Sequence, residues 1–149
     1  MRYARKDISD VQSPGLIAHG VNCQDRMGAG VAKALFTKWP LVKSAYHAFG
    51  YVDLGNVQFI TVEPGLIVAN CFTQQHYGRK PGVQYADPEA VSECLVRVAE
   101  HACIELNVNE VFIPRIGCGL GGLDWETDVV PVIQDIEEHW PVSFVICDL

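Results

Sequence analysis

Gly117, Gly119 and Gly122, within the run "RIGCGLGGLDWE" at 115–126, spell G-x-G-x-x-G. A glycine run that opens a helix leaves free backbone N–H groups and about half a positive charge of helix dipole facing the approach path, which suits an anion. The same arrangement recurs in "NCQDRMGAG" at 22–30, between an apolar run and an amphipathic one. Glycines let both backbones come close to a ligand, since no Cβ stands in the way. Two such loops converging on one edge can cradle a diphosphate. The plainer reading of either loop alone is a turn former at a strand–helix junction.

The order of the motifs limits the choice of phosphate. A dinucleotide fingerprint belongs in the first strand–helix unit, with an acidic residue about 20 positions on and further units behind it. Here the G-x-G-x-x-G run opens the last helix, so position rejects a nicotinamide or flavin site. Neither loop ends in G-K-[ST], so neither is a P-loop. No cysteine is followed by arginine six positions on, and H-E-x-x-H, G-x-S-x-G and D-x-D-x-[TV] are all absent. Catalysis, if present, rests on positioning, electrostatics and one weak base. No cofactor and no metal site is expected.

The elements that must hold these loops follow from the hydrophobic pattern. "GLIAHGV" (15–21) is predicted as a buried strand, and 28–39 as a helix with Val31, Ala32, Leu35, Phe36 and Trp39 on one face, ended by Pro40. A short helix is expected over 41–50, then a hairpin over 56–72 turning at Pro64-Gly65. Residues 74–86 are polar and punctuated by glycine and proline, a loop long enough to be functional. Asp87 and Pro88 then start a helix as N-cap and first residue. Strands are predicted at 110–115 and 142–147, with a helix over 125–140 that buries Val129, Val132, Ile133 and Ile136 and that Pro131 either enters harmlessly or bends. Alternating strands and helices imply an α/β fold, a three-layer α/β/α sandwich around a mixed, mostly parallel sheet. Ligands of such sheets sit beyond the carboxyl ends of the strands.

The 149 residues fit one domain, with 49% hydrophobic and 19% charged residues. The net charge of −7 provides no footprint for bare nucleic acid or an anionic membrane surface, so an anion must be held by backbone dipoles and a few local cations. The N-terminal "MRYARKDISD" has no apolar signal region and no apolar stretch approaches a membrane span, which points to a cytoplasmic protein. The six cysteines form no C-x-x-C pair or zinc spacing and read as small core residues. A monomer is compatible with this composition.

Four stretches in order, "RKDISD", "AHGVNCQDRMGAGVAKALF", "VANCFTQQHYGRK" and "IPRIGCGLGGLDWE", resemble the macrodomain family across nearly the whole chain, residues 1–149. Within it the chain looks most like the yeast ADP-ribose-1″-phosphate phosphatase branch and its phage and bacterial relatives. "MGAG" and "RIGCGL" are also similar to enzymes that remove terminal ADP-ribose, and "GCGLGGLDW" to antitoxins that remove it from DNA. The resemblance implies an ADP-ribose cleft. Asp7 would accept from the adenine amino group with Ile8 beside it, and Asn22 would face the distal ribose. Met27, Gly28, Ala29, Gly30 and Val31 would form the first ligand loop; Gly117, Cys118, Gly119, Leu120, Gly121 and Gly122 would form the diphosphate loop.

Four residues are candidates for catalysis on this resemblance: Asn22, His19, Asp124 and Lys80. His19 reads as a general base or a hydrogen-bonded core histidine. Asp124 positions water or caps the following helix. Lys80 falls near the catalytic lysine of the ADP-ribose-removing relatives, or is a solvated loop residue. Those human relatives carry an aspartate where this chain has Gly121, a departure that argues against their covalent lysine–aspartate route. Tyr77 and Tyr85 border the distal ribose or pack the loop. The expected activity is hydrolysis of a substituent on the distal ribose, foremost the 1″-phosphate. The alternatives are removal of ADP-ribose from protein or nucleic acid, and a reader that only binds.

Overall fold

The computed structural model describes residues 1–50 and 52–149. In chain order the elements are β1 (Arg2–Arg5), a single 3-10 turn (Ile8–Asp10), β2 (Gly15–Asn22), α1 (Gly30–Lys38), α2 (Leu41–Ala48), β3 (Val57–Glu63) and β4 (Leu66–Gln74). Then come α3 (Pro88–Glu100), β5 (Glu110–Ile113), α4 (Val130–His139) and β6 (Ser143–Asp148). The six strands form one sheet in the order β1-β6-β5-β2-β4-β3. All neighbours are parallel except the β3–β4 hairpin.

Strand alternation divides the core into two faces. Leu16 and Ala18 of β2 join Val91, Leu95 and Val98 of α3 and Ile133 and Ile136 of α4. Ile17 and Val21 point the other way and meet Leu35 of α1 and Val42 and Tyr46 of α2. The expected three-layer α/β/α sandwich is the observed one. Among the described residues no helix is long and apolar enough to cross a membrane.

Several boundaries differ from the sequence reading. β1 is unanticipated; its four residues pair in parallel with β6, Tyr3 opposite Ile146. The helix expected over 125–140 begins as a π-helical turn, Trp125–Val129, and becomes α-helical only at Val130, with Pro131 in its first turn. An α-helix running on from 125 would need an N–H at 131, which proline lacks. Val132 is half-buried rather than buried. After α3 the chain makes another π-helical turn, His101–Leu106, and leaves through Asn107 in the left-handed region at φ 53°.

The topology sets the site. β2 and β5 are neighbours at the centre of the sheet, but the chain leaves β2 toward the α1–α2 face and β5 toward the α3–α4 face. The loops that follow them therefore part over a crevice at the carboxyl edge, the topological switch point where α/β sheets bind ligands.

Asp87 caps α3, its Oδ1 accepting from the N–H groups of Glu89 at 2.9 Å and Ala90 at 3.4 Å. Asp87→Ala is expected to lower stability by about 1 kcal/mol in urea denaturation.

Candidate active site

The first loop is folded around Asn22. Its Oδ1 accepts from the N–H of Gln24 at 3.0 Å and of Arg26 at 3.3 Å, and its Nδ2 donates to the Arg26 carbonyl at 2.7 Å. From α2, the Tyr46 hydroxyl donates to the Asn22 carbonyl at 2.7 Å and accepts from Arg26 N–H at 3.1 Å. Burial pushes the Tyr46 phenol up to about 12, so it stays protonated and keeps donating. The Asn22 amide is thus engaged in shaping the loop, though the residue also lines the cleft. Met27 is buried beneath the loop and anchors it, Val31 packs half-buried behind it, and Gly28, Ala29 and Gly30 are exposed. No side chain caps α1 at Ala29, so its first N–H groups have no side-chain acceptor.

The second loop has two kinds of glycine. Gly121 is buried, and its carbonyl accepts from Tyr85 N–H at 2.8 Å and Ala86 N–H at 2.9 Å. A Cβ there would stand 2.5 Å from the Gly117 carbonyl oxygen, so this loop has no room for an aspartate at 121. Gly122, at φ +82°, lies against the Val83 carbonyl. Those two glycines serve packing within the chain. Gly119 and Leu120 are exposed, and nothing lies within 4 Å of a Cβ added to Gly119. Among the described residues the N–H groups of Gly119, Leu120 and Gly121 have no acceptor within the chain. The Cys118 thiol, half-buried in the loop, is pushed up to about 11, chiefly by burial, and remains protonated.

The 74–86 loop forms the third wall. Tyr77 N–H donates to Gln24 Oε1 at 2.9 Å, and the Arg26 guanidinium lies 5.8 Å from the Tyr77 ring centre. Both contacts tie this wall to the first loop. Tyr85 packs on Gly78, where no Cβ would fit, and its hydroxyl accepts from Lys80 N–H at 3.3 Å. The three segments enclose a cleft of about 440 Å³ with Arg26, Met27, Gly28, Tyr77, Arg79 and Leu120 on its walls. A basin of about 360 Å³ shares Arg79 and Leu120 with it and adds Lys80, Gly82, Gly119 and Gly122. The cations lacking in the chain's overall balance therefore gather here: Arg26, Arg79 and Lys80.

A larger recess, about 560 Å³, lies at the opposite edge of the sheet, with Asn107, Asn109, Glu110 and Phe112 on its walls. It has a carboxylate and no cation, which is the wrong charge for a phosphate.

The remaining candidates are dispersed. His19 is fully buried and hydrogen-bonded at 2.5 Å through Nε2 to Asn70 Oδ1, whose amide in turn donates to Gln58 Oε1 at 3.1 Å. The structure thus places His19 in the core under α2, not at the cleft: of the two sequence readings, it shows the hydrogen-bonded core histidine rather than the base near the ribose. Burial depresses it to about 4, so it is neutral at pH 7. Asp124 caps the turn that follows it, Oδ1 accepting from Thr127 N–H at 3.0 Å. That hydrogen bond holds its carboxyl below the usual range. Asp124 is exposed and bonded as a cap, which accounts for it without chemistry. Asp7 begins the Ile8–Asp10 turn, accepting from Ser9 N–H at 2.9 Å and Ser9 Oγ at 2.7 Å, with Ile8 buried beside it. This turn packs against α1 at the far end of the same edge. Lys80 is the one candidate whose charged group is exposed beside both the glycine loop and the third wall. Arg26 and Arg79 escaped the sequence reading; their signal was basic character inside polar loops of an acidic chain.

No family model matches the chain. The DNA ADP-ribosyl glycohydrolase of Mycobacterium tuberculosis is 30% identical over 152 residues, which cover 97% of this chain and 41% of that protein. The chain thus spans about two fifths of that relative's length. The human ADP-ribose glycohydrolase OARD1 is 25% identical over 99% of this chain and 90% of its own length. Among solved structures, a macrodomain protein from Streptomyces coelicolor superposes with a TM-score of 0.80 at 33% identity, covering 99% of this chain and 97% of that one.

Two outcomes follow from this geometry. Gly121→Ala is expected to cost about 1–3 kcal/mol in denaturant unfolding because a backbone oxygen must move, whereas Gly119→Ala is nearly neutral. For His19, the unfolded chain takes up a proton near pH 6.5 and the folded one only near 4, so the stability is full above 6.5 and lost as the pH falls through that window. The loss amounts to about 3 kcal/mol. His19→Gln, which can still donate to Asn70, should flatten that part of the melting-temperature profile.

Proposed function

This chain belongs to the macrodomain family, and we propose that it binds ADP-ribose at the carboxyl edge of its sheet and hydrolyses the bond between the distal ribose and an attached macromolecule. The observation that carries this reading is the meeting at one cleft of two glycine loops, both with uncapped N–H groups, that follow adjacent strands β2 and β5. Such donors suit the two charges of a diphosphate, and Arg26 and Arg79 offset the chain's negative balance locally. Asp7 and Ile8, beyond α1, take the adenine end. Residues 1–149 act as one macrodomain.

Hydrolysis adds the oxygen of water to the anomeric carbon and a proton to the departing group, giving free ADP-ribose and the unmodified acceptor. Lys80 is the residue assigned to this step. It stands on the rim that the distal ribose would reach and, unlike His19 and Asp124, is exposed beside the groove. The packed Gly121 supplies no carboxylate, so the lysine acts without the aspartate partner of the human relatives. Asn22 shapes the first loop and needs no proton-transfer role. Similarity to a DNA ADP-ribosyl glycohydrolase and to an ADP-ribose glycohydrolase supports a hydrolase of ADP-ribose derivatives, with nucleic acid as one acceptor and protein as the other class to test. The 1″-phosphate expected from the sequence remains a second substituent that the same rim could take.

Incubation with ADP-ribosylated DNA, with a peptide ADP-ribosylated on glutamate and with ADP-ribose-1″-phosphate tests the assignment. The proposed activity releases ADP-ribose from at least one of the first two. Lys80→Ala is expected to slow that release by at least about a hundredfold while changing ADP-ribose affinity by less than about threefold. Phosphate release alone would select the phosphatase instead, and tight binding without turnover on any of the three would select a reader.

A further inference from the structure

Both ends of the second glycine loop are tied to the edge of the sheet by one side-chain cluster. Arg115, just before the loop, makes two parallel hydrogen bonds to Asp148 at the end of β6, Nε to Oδ1 and Nη2 to Oδ2, both 3.1 Å. Its guanidinium lies 5.3 Å from the ring centre of Tyr3 in β1 and 5.6 Å from that of Trp125. Trp125, just after the loop, is buried and donates through its indole N–H to the Tyr3 hydroxyl at 2.9 Å. Between these anchors run the residues whose outward N–H groups form the second wall of the cleft.

An exposed ion pair by itself adds little to stability. Here the planar fork is held in two directions, by a carboxylate in its plane and by aromatic rings beside it, and that fixes orientation. Arg115 carries this constraint directly into the backbone, since its own carbonyl accepts from Cys118 N–H at 3.1 Å, the first turn of the loop. We propose that Arg115 is a positioning residue that, with Asp148, Tyr3 and Trp125, presets the second glycine loop for the diphosphate. The ligand half of this inference rests on the ADP-ribose reading above; the loop half does not. Preorganised donors bind more tightly because less freedom is lost on association.

Arg115→Met, Arg115→Lys and Asp148→Asn in the full chain separate positioning from bulk electrostatics, and the last leaves the arginine in place should the first two fold poorly. Amide hydrogen exchange without ligand, and calorimetric titration with ADP-ribose, are the readouts. All three variants should exchange faster at the hydrogen-bonded amides within 116–124, those of Ile116, Cys118, Gly122, Leu123 and Asp124, with the rest of the chain unchanged, and bind ADP-ribose about tenfold more weakly. Lysine should fail to rescue, because it keeps the charge and loses the fork. Wild-type exchange at 116–124 in all three variants, acceleration spread over the whole chain, or full rescue by lysine would overturn the proposal. A wild-type chain that ignores ADP-ribose while the variants loosen the loop would refute the ligand reading and leave the positioning role standing.

Discussion

The carboxyl ends of β2 and β5 lie side by side, and the chain leaves them in opposite directions. Every feature of the cleft depends on that. A strand end with one neighbour going the same way has its loop stacked over by the next connection; at the switch point the two loops part and leave backbone groups facing each other. The glycine runs are useful because they lie at this position. Elsewhere on the sheet the same residues would only turn the chain.

Holding the parted loops in shape takes three separate devices. Asn22 and the Tyr46 hydroxyl brace the first loop from beneath, through α2. Gly121 and Gly122 brace the second by letting the 83–86 segment press against it. Gln24 and Arg26 fasten the 74–86 wall to the first loop through Tyr77. Polar groups that could have served chemistry are spent on architecture instead, and the exposed cations Arg26, Arg79 and Lys80 stand along the cleft and its adjoining basin. The chain's acidity is no obstacle, because the field that matters is local.

The layers, the hairpin and both loops were legible in the sequence because each rests on local pattern: short apolar runs for strands, apolar positions three or four apart for helices, and glycine or proline at the breaks. β1 was not. "RYAR" has no apolar alternation and is a strand only because β6 lies beside it, a distant partner that local pattern cannot show. The roles of His19 and Asn22 were hidden for a related reason. A histidine inside a strand is a core residue or a base according to what the neighbouring strand presents, and here β4 presents Asn70. Glycine counting likewise could not separate Gly119, open to solvent, from Gly121, which packs on its own loop.

If both glycine loops together hold the diphosphate of ADP-ribose, both must sense its arrival. The most direct measurement is a titration of the isotopically labelled chain with ADP-ribose, followed through its backbone amide resonances. The largest shifts are expected to fall together on Gly28, Ala29 and Gly30 and on Gly119, Leu120 and Gly121. Shifts confined to one loop, or gathered around Asn107, Asn109 and Glu110 at the opposite edge of the sheet, would contradict it.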